Sequence, residues 1–93
     1  MGTQYSLFNS LYTYLKNGAK YDRLKVKLNQ IEKSIEKYDE TIEQFENLGD
    51  NPFVEFLVED RNALNLKRIQ INLKLVDIEK DMLEFELMAA TRD

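Results

Sequence analysis

From Tyr21 to Phe45 the apolar residues fall at Tyr21, Leu24, Leu28, Ile31, Ile35, Tyr38, Ile42 and Phe45, in alternating steps of three and four. This is an unbroken heptad seam. It predicts a helix over 20–48 whose apolar edge must meet another helix to leave water. Leu48-Gly49-Asp50-Asn51-Pro52 then ends it. Gly49 suits the left-handed position just past a helix end, Asn51 suits an N-cap, and Pro52 suits the first turn of the next helix. The pattern beyond predicts helix over 52–90, with no internal Gly or Pro.

That second long helix carries two apolar stripes. One is Leu57, Leu64, Ile71, Leu75, Ile78, Met82 and Phe85. The other is Leu66, Ile69, Leu73, Val76, Leu83 and Leu87. At about 100° per residue their mean directions lie roughly 160° apart, on nearly opposite sides of the helix.

Upstream, Phe8, Leu11, Tyr12 and Leu15 predict a short amphipathic helix over 4–17. Its apolar face is out of phase with the seam, which stepped backwards lands on Asn17 and Ser10. A glycine inside a helix costs about 1 kcal/mol against alanine, so Asn17-Gly18 is the expected break between two helices. Tyr14 is expected outside, away from the Phe8/Leu15 face.

The fold class that follows is all-α: a short N-terminal helix, then a long antiparallel hairpin resembling a coiled coil, in a single helical domain over 1–93. The turn sets residue i opposite about 101 − i. Phe45 should then lie beside Phe56 or Leu57. Arg61 and Arg68 should lie near Glu32, Glu36 and Glu40, and Lys20, Arg23 and Lys25 near Asp77, Glu79 and Asp81. The first helix should lie over the C-terminal end of the last. It is too short to cover the second stripe, so Leu66, Ile69, Leu73, Val76, Leu83 and Leu87 are expected to be a self-association surface. Two copies meeting on it would form a homodimer with a four-helix core.

Composition narrows the chemistry. The 93 residues are 43% apolar and 32% charged, which fits one small folded domain. Cysteine and histidine are both absent. Disulfides, thiolate or imidazole metal sites, and Cys or His catalysis are excluded. Carboxylate pairs such as Asp39/Glu43 and Asp77/Asp81 have no partner base, Gly-rich loop or cleft nearby, so no catalytic, metal or cofactor site is read and no enzyme is expected. No apolar run approaches the roughly 20 residues that span a bilayer, and no secretory segment is recognisable. A cytoplasmic location is the expectation.

The net charge is −4 and unevenly spread: +4 over 1–27, −8 over 28–60, +3 over 61–80 and −3 over 81–93. An acidic total disfavours nucleic acid as a partner. Glu43, Glu46, Asp50, Glu55, Glu59 and Asp60 gather at the hairpin tip as a candidate docking surface for a protein partner, although a charge run is more often a solvated face. Met1-Gly2-Thr3-Gln4-Tyr5-Ser6 matches the N-myristoylation pattern, with Lys16, Lys20, Arg23, Lys25 and Lys27 following as a basic cluster. Asn51-Pro52-Phe53 has the form of the tripeptide bound by endocytic EH domains, but its position is that of a helix cap. The leading function class is a non-enzymatic interaction or assembly protein, a self-associating helical scaffold. Behind it stand a small acidic inhibitor of a host or cognate enzyme, of the anti-defence kind, and then a peripheral membrane adaptor.

Overall fold

The structure, a computed structural model, describes the backbone of residues 2–49 and 51–91, and the side chains of residues 8–49 and 51–91. It is all-α, with no strand among the described residues. Two long helices account for nearly all of it: α1, Gly2–Asn47, and α2, Phe53–Ala90. The chain divides into two compact units. A turn unit holds Val26–Asn72, and a terminal unit holds Met1–Lys25 with Leu73–Asp93.

The turn between the helices follows from its residues. Gly49 has φ of 96°, a left-handed value that only glycine adopts freely. The Leu48 and Gly49 amides donate to the Phe45 and Glu46 carbonyls at 3.1 Å, tightening the last turn of α1. The Asn51 side-chain oxygen accepts from the Phe53 amide at 2.9 Å, capping α2. Asn51 therefore serves as the cap that the sequence suggests, while Phe53 beside it is exposed.

In the turn unit the end of α1 and the start of α2 form a helical hairpin. Leu28, Ile31, Ile42 and Ile71 are buried, and Ile35, Tyr38, Phe45, Leu57 and Leu64 are half-buried. The seam thus faces inward along this unit, and each buried Leu or Ile contributes roughly 1.5–3 kcal/mol. Phe56 is exposed, which leaves Leu57 as the inward residue of the two expected near Phe45. The one ion pair among the described residues joins Arg61 to Asp39 at 3.1 Å, in place of the glutamates expected. Arg68 donates to Asn65 on its own helix at 2.9 Å. Tyr38 donates to Asp60 at 3.3 Å. The register is close to that read from the turn, and a shift of one residue exchanges Glu40 for Asp39 on the neighbouring face.

In the terminal unit the two segments run antiparallel. Tyr14 stacks on Phe85 with ring centres 4.7 Å apart, and its hydroxyl donates to Glu86 at 2.7 Å. A Cβ built on Gly18 would lie 3.7 Å from the Met82 methyl. Contacting residue numbers in these pairs add to 99 or 100. Leu75 and Ile78 are buried on the α2 side.

Here the structure corrects the sequence reading. There is no separate helix over 4–17. α1 runs through Gly18 without interruption. Phe8, Leu11, Tyr12 and Leu15 do not fold back over the end of α2 but stand exposed. The inward positions are Ser10, Tyr14, Asn17 and Gly18, all half-buried, so Tyr14 is inside rather than outside. The physical reason is that a helix is held by its backbone ladder, which does not require the apolar face to keep its phase. One glycine's cost of about 1 kcal/mol is too small to break a helix of 46 residues.

Candidate functional site: the outward faces of the terminal unit

The start of α1 reverses the usual polarity. Up to Gly18 the described residues facing α2 are Ser10, Tyr14, Asn17 and Gly18, and the apolar seam takes over at Tyr21 and Leu24. With Asn9, Thr13, Asp81, Glu84, Phe85 and Met88, the inward Ser10, Tyr14 and Asn17 line an open depression of about 410 Å³. The apolar residues of the same segment point the other way. At about 100° per residue, the mean direction of Phe8, Leu11, Tyr12 and Leu15 lies roughly 170° from that of the seam. Phe8 is 70% exposed and Leu15 61%.

α2 does the same on its own outer side. All six residues expected to form a self-association surface are exposed. Leu66 and Ile69 lie in the turn unit, and Leu73, Val76, Leu83 and Leu87 in the terminal unit. Val76, Leu83 and Leu87, with Glu79, Lys80 and Glu84, line an apolar depression of about 360 Å³. A second depression of about 210 Å³ is lined by Tyr21, Glu79, Met82, Leu83 and Glu86.

The terminal unit therefore carries two bare apolar faces, one on each helix, pointing away from each other. Sequence reading found the α2 face and missed the α1 face, because Phe8, Leu11, Tyr12 and Leu15 had been assigned to internal packing. The signal was present in the phase slip against the seam. An out-of-phase stripe on a continuous helix must face outward.

Charge differs between the two faces. Residues 1–25 hold four basic residues and one acid, +3, and residues 73–93 hold three basic residues and six acids, −3. Lys16, Lys20, Arg23 and Lys25 are exposed on α1, and Asp77, Glu79, Asp81 and Glu84 on α2. Lys16 sits 6.0 Å from the Tyr12 ring centre and Lys25 5.9 Å from that of Tyr21. The hydrogen bond to Glu86 raises the Tyr14 pKa above the ordinary tyrosine value, with desolvation and the Glu86 charge acting the same way.

Of the expected acidic docking tip, Glu43, Glu46, Glu55, Glu59 and Asp60 are exposed in the turn unit, and Asp50 lies outside the described residues. Asp60 is held by Tyr38. Among the described residues no set of three or more carboxylates is placed to hold a metal ion. The acylation pattern begins at Met1, outside the described residues, and the side chains through Ser6 are likewise outside. Among the described residues no helix is long and apolar enough to cross a membrane. No family model, curated protein or solved structure matches the chain.

Proposed function

We propose that this protein is a non-enzymatic assembly protein, a helical scaffold that works by associating with itself. The observation that carries the reading is the bare apolar face of α2, where Leu73, Val76, Leu83 and Leu87 are all exposed. Apolar surface of this extent on a small helical unit is unusual unless something covers it. In the simplest form a second copy of the chain covers this face. Burying such a patch contributes about 25 cal/mol per Å², partly offset by the entropy of association, which sets self-association at micromolar concentration or below.

Leu73→Glu places a charge in the patch without touching a buried residue. In light scattering at about 100 μM, the wild type should exceed the 11.0 kDa of one chain and the variant should return to it. A wild type that stays at one chain's mass would remove the reading.

A further inference from the structure

We infer that the α2 face of the terminal unit is covered by the α1 face of the next copy, so that copies join side by side in an open row rather than as a closed pair. The inference rests on the self-association just proposed and names what sits on the surface. Three features of the terminal unit carry it.

First, both faces are apolar and bare, with Phe8, Leu11, Tyr12 and Leu15 exposed on α1 and Leu73, Val76, Leu83 and Leu87 exposed on α2. Second, they match in charge. The α1 face is bordered by Lys16 and Arg23 on one side and Lys25 on the other, and the α2 face by Glu84 and Asp77 on one side and Glu79 on the other. Third, the match survives at the exceptions. The one acid of the α1 segment, Asp22, lies within its outward face, and Lys80 lies within the outward face of α2.

An antiparallel contact in the register that the terminal unit itself uses brings the charges together and seats Leu15 on the α2 face. Contacting residue numbers then add to about 100. Lys16 of one copy falls opposite Glu84 of the next, Arg23 opposite Asp77, and Asp22 opposite Lys80. Leu15 falls between Leu83 and Leu87. Antiparallel helices set face to face meet on corresponding sides, so the basic borders meet acidic ones on both flanks. Two α2 faces set against each other would instead oppose acidic borders to acidic borders, which like-charge repulsion disfavours. The α1 and α2 faces point away from each other, so one contact leaves an unused face at each end. Head-to-tail association of this kind extends instead of closing.

The test uses two variants of the full chain, Leu15→Glu and Leu83→Glu. Both side chains are more than half exposed, so the fold is not at risk, and circular dichroism checks that helicity is kept. Sedimentation velocity at about 100 μM reads the mass. The wild type should exceed two chains and grow with concentration. Each variant alone should run as one chain of 11.0 kDa, and an equimolar mixture should give a one-to-one pair, because one variant keeps its α1 face and the other its α2 face. Leu15→Glu that still dimerises, with a mixture that forms no new species, would overturn the inference and leave an α2-to-α2 dimer. A wild type at one chain's mass would overturn this inference and the self-association reading together.

Discussion

The two ends of α1 are used in opposite ways. In the turn unit α1 puts Leu28, Ile31 and Ile42 inside and charge outside. In the terminal unit the same helix puts Ser10, Tyr14 and Asn17 inside and Phe8, Leu11, Tyr12 and Leu15 outside. From Tyr21 onwards the apolar seam of α1 leaves water within the chain, while before it the apolar stripe of α1 stands bare, and the outer stripe of α2 is exposed in both units. Places where a sequence breaks a local rule against its own fold are where function is to be sought. The contrast teaches that α1 packs through its seam from Tyr21 onwards and leaves a bare apolar stripe before it.

The largest effect should come from cutting into the turn unit's core. Ile42 is 5% exposed, and Ile42→Ala should lower the unfolding free energy by about 2–5 kcal/mol in urea titration. Leu15→Ala, measured where the protein is dilute enough to be one chain, should change it by no more than about 0.5 kcal/mol. Equal costs at the two positions would erase the difference between the units.

The two inner glycines sharpen the comparison, because the same substitution should act with opposite sign. Gly49 is left-handed with open space around it, so Gly49→Ala should destabilise by about 1–2 kcal/mol through backbone strain alone. Gly18 lies within α1, and a new Cβ would make ordinary contact with Met82 at 3.7 Å. Gly18→Ala should therefore stabilise by about 0.5–1 kcal/mol. A destabilising Gly18→Ala would restore the break that the sequence suggests.

That break marks the limit of what was legible. The seam from Tyr21 to Phe45, the turn at Gly49 and Asn51, and the inner stripe of α2 could all be read, because periodicity, capping and burial agree there. The outward position of Leu66, Ile69, Leu73, Val76, Leu83 and Leu87 could be read for the same reason. The α1 face could not. Phase slip and a glycine together looked like a helix end, and only the uninterrupted helix shows that the slip turns Phe8 and Leu15 to the surface. The Arg61 partner was missed by one residue, since a helix turns about 100° per residue and register read from a turn is not that fine.

The smallest effect concerns Tyr14. Its pKa is raised in the folded chain, so its contribution to stability is fully present below the ordinary tyrosine pKa near 10 and is lost as pH rises through the raised value. Tyr14→Phe keeps the ring against Phe85 and removes the bond to Glu86. Its melting temperature should fall slightly below wild type at neutral pH, and the gap should close in strongly alkaline solution. A gap independent of pH would mean that the hydroxyl is not what matters there.

Amide hydrogen exchange at two concentrations tests most directly whether the terminal unit is the part built to associate. Between roughly 5 and 200 μM, amides in 8–22 and 76–88 should become more protected. Amides in 28–47 and 53–70 should exchange alike at both concentrations. Exchange that does not depend on concentration anywhere, or a change confined to the turn unit, would contradict the division of roles between the two ends of the helices.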